Sequence, residues 1–228
     1  MKQQYVIKLQ NIQKHYQSSG GVTTSALDGI DLAIPDGEFV AIMGPSGSGK
    51  TSLMNIIGLL DQHYEGAYFL DGRDVSKLGN NRTTEMRNSK IGFVFQQFNL
   101  LKRTSVLDNV LLPTTYHAGK DDTERALEVI HRVGLSQQLS HMSNQLSGGQ
   151  MQRVAIARAL IMHPSYLLAD EPTGNLDSKT AYEIMELFKE INAQGTTIVL
   201  ITHEEDIAAY ASRTVRLKDG KIQKEDKQ

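Results

Sequence analysis

Apolar and polar residues alternate along "YVIKLQNI" near the start of the chain, with the period of two expected of a half-buried strand. "SSGG" at 18–21 reads as a flexible turn, and "ALDGIDLAI" supplies a second strand-like run. Pro35, Asp36 and Gly37 mark the next turn. "EFVAIM" then reads as a buried strand ending at Gly44, and "KTSLMNIIGLL" has the apolar density of a core helix. A β-rich patch around "GAYFLDGRDV" carries a hairpin or loop at Asp71-Gly72, and "IGFVF" at 91–95 is a further short strand. From about 97 to 163 the pattern is mostly helical, with "TERALEVIHRV" stopped by Gly134. "SYLLAD" and "TTIVLIT" are short apolar runs flanking "SKTAYEIMELFKEI", where Ala181, Ile184, Met185 and Phe188 share a helical face. "TVRLKDGKIQKED" closes the chain as a hairpin around Asp219-Gly220.

Strands alternating with helices predict an α/β fold with a largely parallel sheet and crossover helices. No internal repeat or low-complexity linker interrupts the pattern, so one composite domain fits better than two. The 228 residues suffice for a sizeable core. A net charge of -2 supplies no general basic field, and no nucleic-acid partner is expected. The chain has no cysteine, which excludes disulfides, thiolate catalysis and cysteine-ligated zinc. Its start lacks the apolar core of a signal peptide. Its longest apolar runs, such as "IVLI", fall far short of the ~20 residues that span a bilayer. The expected compartment is the cytoplasm, with any membrane connection made through a partner.

"GPSGSGKT" satisfies G-x-x-x-x-G-K-[ST] from Gly44 to Thr51, after an apolar strand and at the opening of a helix. In that context the backbone N–H groups of Gly44, Pro45, Ser46, Gly47, Ser48 and Gly49 (proline excepted) curl toward phosphate oxygens, aided by the helix dipole. Lys50 adds a point charge for the β- and γ-phosphates, Thr51 is placed to ligate Mg²⁺, and Ser52 completes the set. The motif specifies a nucleoside triphosphate and leaves open what its energy drives. "YLLADE" puts two acids at the end of an apolar run: Asp170 can hold Mg²⁺, and Glu171 can orient or deprotonate an attacking water. An ordinary acidic turn into Pro172 is the competing reading, weakened by the phosphate loop. His203 closes "TIVLITH" at a strand end, where ligands of α/β sheets collect. His15, His63, His117, His131, His141 and His163 have no such placement and read as structural.

In "LSGGQMQRVAIARAL", Ser147 can cap a helix beginning near Gly149. Met151, Val154, Ala155, Ala159 and Met162 form one apolar stripe, with Ile156 and Leu160 on another side, so burial on more than one face is expected. Arg158 falls inside the stripe and reads as a packed stem with a paired charge. Ser147, the glycine N–H groups and the dipole form a second anion site, although helix physics alone favours a capped core helix without a ligand.

"LSGGQ" shortly before "DEPTGNLD", with "GPSGSGKT" upstream, resembles the ATP-binding cassette (ABC) ATPases over nearly the whole chain. The resemblance implies a P-loop core with an antiparallel β subdomain (about 1–96 and 156–228) and a helical subdomain (about 97–155) that docks a permease. It implies a homodimer in which Leu146, Ser147, Gly148, Gly149 and Gln150 complete the partner's ATP site. Tyr16 becomes the adenine-stacking aromatic. Gln96 reaches Mg²⁺ and senses the membrane partner, with Gln97 as an adjacent candidate. Asp170 and Glu171 match the Mg²⁺-site aspartate and catalytic glutamate, Asp177 the loop communicating across the dimer, and His203 the switch histidine. "GFVFQQFNLL", "DEPTGNLD" and "NIIGLLD" look most similar to the macrolide-export and lipoprotein-release group. Macrolide exporters often fuse the ATPase to a membrane segment that this chain lacks, so a separate subunit, peripheral on the inner face of the cell membrane, is expected. Transmembrane signalling, such as control of cell-envelope hydrolases or peptide sensing, is the alternative output.

Overall fold

The alternating opening segments form two long antiparallel strands, β1 (Tyr5–Gln17) and β2 (Thr23–Pro35). The computed structural model describes residues 4–17, 21, 23–116 and 122–227, so most of the expected turn at 18–21, and His117, lie outside the described residues. β3 (Phe39–Met43) leads into α1 (Lys50–Ile57), followed by β4 (Glu65–Leu70) and the short β5 (Arg73–Asp74). After α2 (Asn80–Lys90) and β6 (Ile91–Phe95) come α3 (Val106–Leu111), a 3-10 turn at Leu112–Tyr116, α4 (Thr123–Arg132) and α5 (Gly148–Leu160). The chain then forms β7 (Tyr166–Asp170), α6 (Ser178–Ala193), β8 (Thr197–Ile201), α7 (Glu205–Ala208), β9 (Arg213–Lys218) and β10 (Lys221–Lys227).

These strands make two sheets. One is antiparallel, in the order β2-β1-β4-β5; the other runs β10-β9-β3-β8-β7-β6 and is parallel except for the β9-β10 hairpin. Parallel strands covered on both faces need apolar residues on both parities. In β3, Phe39, Ala41 and Met43 face a core shared with α5 and α6, whereas Val40 and Ile42 face a second core shared with α1, β1 and β2. β7 and β8 divide likewise, Leu167, Ala169, Ile198 and Leu200 to the first, Tyr166, Leu168, Val199 and Ile201 to the second. This double coverage explains why these strands are uninterrupted apolar runs. The end of α1 is tied to the sheets by two buried phenols, since Tyr68 and Tyr166 both donate to the Ile57 carbonyl, at 2.9 and 2.6 Å. Burial raises the pKa of both, keeping them protonated donors.

Helix α2 was not expected from the sequence: "NNRTTEMRNSK" has no apolar stripe, and only Thr83 is buried in it. Arg87 near its end donates to the Leu59 carbonyl at 2.9 Å, Asn88 donates to the Pro113 carbonyl at 3.3 Å and Lys90 pairs with Asp71 at 2.9 Å, so polar ties anchor it. Helix α5 does bury more than one face: Val154, Ala155, Ile156, Ala157, Ala159 and Leu160 are all buried. The expected charge partner of Arg158 is corrected. Its guanidinium donates to the carbonyls of Asn99 and Phe98 at 2.6 and 3.0 Å, so backbone dipoles satisfy it rather than a carboxylate.

Candidate active site

The parallel strands β3, β6, β7 and β8 all end on one edge, which brings the separated motifs together. After β3 the loop 44–49 turns into α1, whose start has no side-chain cap. The first N–H groups of a helix lack intrahelical partners, so they remain as donors for phosphate oxygens. Gly49 at the N-cap has φ +103°, and a Cβ there would lie 2.5 Å from the Ala26 carbonyl oxygen. Only glycine fits that backbone and that approach. Lys50 Nζ donates to the carbonyls of Gly44 and Pro45 at 2.6 and 3.0 Å, arching back over the loop. Tyr16 is exposed, and its hydroxyl sits 3.3 Å from Ser52 Oγ, which links the aromatic on β1 to the first turn of α1.

Asp170 ends β7, partly buried, and its pKa is raised by burial and by the charge of Glu171, against the opposing pull of Lys50. Glu171 sits at φ +45°, a left-handed backbone that costs a glutamate about 1–3 kcal/mol. Its N–H donates to the Ile201 carbonyl at 2.9 Å, locking this turn to the end of β8. Its carboxylate accepts from Thr202 Oγ1 at 3.3 Å and lies 2.7 Å from His203 Nδ1. The expectation for His203 was a bond to a γ-phosphate or the attacking water; here its ring engages the glutamate. Such a carboxylate is oriented, and its partner histidine can donate in either charge state if Nδ1 carries the proton.

The Glu171 hydrogen bond, then its charge, raises the His203 pKa above 6.5. The raised folded value means the contact stabilises fully below the unfolded pKa and is lost as pH rises through the folded one. In an NMR titration, His203 therefore titrates above 6.5 in the parent chain and falls toward that value in Glu171→Gln. An unchanged midpoint in the variant would show that the contact does not exist in solution.

Gln96, just past β6, is interlocked with the segment after Glu171. Asn175 Nδ2 donates to the Gln96 carbonyl at 2.9 Å, and Gln96 Nε2 donates to Asn175 Oδ1 at 3.4 Å. Gln97 takes no part in this pair and lines a groove with Phe98, Leu100, Lys102, Asn144 and Met151. Asp177 caps α6, accepting from the Thr180 N–H at 3.1 Å and the Thr180 hydroxyl at 2.6 Å. These bonds hold its pKa below the usual carboxylate value.

The second phosphate-seeking stretch is built as expected at its cap. Ser147 Oγ accepts from the Gln150 N–H at 3.3 Å, and Gln150 Oε1 accepts from the Ser147 N–H at 2.9 Å, a capping box that starts α5 at Gly148. A Cβ on Gly149 would meet Thr180 Cγ2 at 2.5 Å, so α5 approaches α6 closely here. The neighbours of Gly148 are Leu176 and Phe98. Among the described residues, Leu146–Gln150 make no hydrogen bond to the phosphate loop. Gln152 is absent from the sequence reading. Gln152 is fully buried in α5, and its Nε2 donates to the Pro172 carbonyl at 2.7 Å, holding the turn that carries Glu171. A polar residue one turn before Ile156, on a buried face, was the available signal.

The ABC transporter family profile matches residues 27–174. The chain is 51% identical over 219 residues to the uncharacterized ABC transporter ATP-binding protein YknY of Bacillus subtilis, covering 95% of both chains. It is 48% identical over 222 residues to the macrolide export ATP-binding/permease protein MacB of Bdellovibrio bacteriovorus, covering 97% of this chain and 34% of that one. The chain thus spans about a third of the length of this MacB relative. Among solved structures, the dimeric bacterial ABC transporter cassette MJ0796 is 46% identical, with a TM-score of 0.87 over 97% of this chain and 98% of that one. MJ0796 also has a dimeric post-hydrolysis structure bound to ADP and Pi, at 45% identity and the same TM-score of 0.87 over 97% and 98%. With a phosphate loop, a strand-end carboxylate pair and a fold shared with these cassettes, the chain belongs to the ABC transporter family and is an ABC ATPase.

Proposed function

We propose that this chain is the ATP-hydrolysing part of an export-type ABC transporter, acting as a dimer on a membrane permease. The observation that carries the dimer is the placement of α5. Its capped N-terminus lies against Phe98, Leu176 and Thr180, with no hydrogen bond, among the described residues, to its own phosphate loop. Two N-termini suited to phosphate within one chain are reconciled when each nucleotide takes the loop of one chain and Leu146, Ser147, Gly148, Gly149 and Gln150 of another. The dimeric MJ0796 cassette supports this reading.

In this scheme Tyr16 stacks the base. Residues 44–52 hold the phosphates, with Lys50 on the β- and γ-phosphates. Glu171 accepts a proton from the attacking water, and His203 fixes its carboxylate. Among the described residues no group of three or more His, Asp or Glu could hold a metal ion alone. The Thr51 hydroxyl, the Gln96 amide and the Asp170 carboxylate would instead hold Mg²⁺, which binds chiefly through substrate phosphates and water. When bound, Mg²⁺ neutralises charge on the phosphate oxygens. Asp177 caps α6 through Thr180, whose methyl lies against Gly149, and in this scheme it relays movement between the composite sites.

The division into a core with a β subdomain (about 1–96 and 156–228) and a helical subdomain (about 97–155) belongs to the same proposal. The groove beside Gln97, a cavity of ≈ 620 Å³ between the segment after β6 and the approach to α5, is the surface offered to the permease. No helix among the described residues is long and apolar enough to cross a membrane. The proposed position is the inner membrane face, held through that permease.

The test is the dependence of ATPase activity on chain concentration. Sites completed by a second chain give a rate per chain that rises with concentration and then saturates. A rate per chain constant down to concentrations at which the protein is monomeric with ATP present would overturn the shared site.

A further inference from the structure

The segment of β1 leading to Tyr16 holds a lysine that no step above uses. A bulge at Asn11, with φ +48° and a register shift against β2, resets the alternation so that Ile12, Lys14 and Tyr16 share one face. Lys14 is therefore carried inward and is only 6% exposed. A buried ammonium is costly unless its donors are met. Two acceptors come from the turn that ends α1: Asp61 Oδ2 at 2.7 Å and the His63 carbonyl at 2.6 Å. That turn is itself fixed, since the Asp61 N–H donates to the Asn55 carbonyl at 3.0 Å and the His63 N–H to Asp61 Oδ1 at 2.8 Å. The remaining side of the ammonium lies over the Tyr16 ring, 4.9 Å from its centroid.

We propose that Lys14 is the positioning residue for the base of the nucleotide: clamped to the end of α1, it backs one face of Tyr16 and sets the ring in register with the phosphate loop. The proposal rests on the reading that Tyr16 stacks the base. The ring is tied at two places to the same helix, through its hydroxyl to Ser52 in the first turn and through Lys14 to Asp61 beyond the last. Base platform and phosphate cradle therefore move as one body, and the ring does not have to be ordered when the nucleotide arrives. The contact is already made in the free chain, so what its loss adds to binding is the ordering of a freed ring, which weakens base-dependent binding by about two- to tenfold. Contacts to phosphate lie elsewhere and are untouched.

The experiment compares the binding of ATP and of inorganic triphosphate by calorimetry to the full chain and to Lys14→Met, Tyr16→Leu and the double variant. Lys14→Met is expected to lose about two- to tenfold in ATP affinity with triphosphate affinity unchanged, and to add nothing further in the Tyr16→Leu background. Wild-type ATP affinity in Lys14→Met alongside a loss in Tyr16→Leu overturns the role of Lys14 and leaves the stacking reading standing. Undiminished ATP binding in Tyr16→Leu removes both. Equal losses for ATP and triphosphate in Lys14→Met assign the lysine to the phosphate loop instead. If Lys14→Met does not fold, Asp61→Asn decides: it releases the clamp while keeping the lysine, and must weaken ATP but not triphosphate, an unchanged ATP affinity overturning the proposal.

Discussion

Glu171→Gln is expected to bind ATP as the parent chain does and to hydrolyse it about 100- to 10,000-fold more slowly, the range typical of losing a positioned general base. The amide has the size of the carboxylate and keeps one accepting oxygen, enough for either His203 or Thr202, while the bond from its backbone N–H to the Ile201 carbonyl does not involve the side chain, so the left-handed turn at φ +45° persists. What is lost is the ability to take a proton. If ATP closes the proposed dimer and hydrolysis reopens it, ATP-bound dimers accumulate in the variant. Single-turnover hydrolysis and gel filtration with ATP measure both effects. Turnover equal to the parent chain would remove Glu171 from the chemistry.

The strands were legible because their physics is local. Burial on both faces requires apolar runs, and the segments at 39–43, 166–170 and 197–201 have them. The phosphate loop was equally legible, since its glycines, lysine and hydroxyl stand together in sequence. Features depending on partners distant in sequence were not. The Glu171–His203 contact joins residues 32 positions apart, and the Arg158 bonds reach back 59 and 60 positions to backbone carbonyls that carry no side-chain signal. Helix α2 has no apolar stripe and is held by its setting. Lys14 escaped notice because a bulge, invisible in simple alternation, turns it inward.

Gln152 shows how the two proposed composite sites are connected within one chain. Its own helix begins with the stretch assigned to the partner's nucleotide, and its side chain grips the Pro172 carbonyl beside Glu171. The Gln152 donor that reaches Pro172 is buried, so a shift of α5 on ATP closure cannot leave the catalytic turn behind without stranding a polar group. In the shared-site scheme the same short bond would make one site's closure felt at the other.

Ser147→Arg should abolish hydrolysis while sparing ATP binding by the single chain. Arginine at this position loses the hydroxyl that caps α5, worth about 1 kcal/mol, and puts a large cation where the partner's triphosphate must fit. Lys50→Ala fails for the opposite reason, its own phosphate loop lacking the charge for the β- and γ-phosphates. Each variant alone has two defective sites per dimer. Mixed, the two chains pair so that one composite site holds both defects and the other holds neither. Random pairing makes half the dimers mixed, each with one of two sites intact, so an equimolar mixture of independent sites recovers about a quarter of parental activity. Activity measured before and after mixing, together with ATP affinity of the Ser147→Arg chain at monomer concentrations, decides the matter. If that chain loses ATP on its own, Ser147 serves its own nucleotide and the shared-site scheme fails.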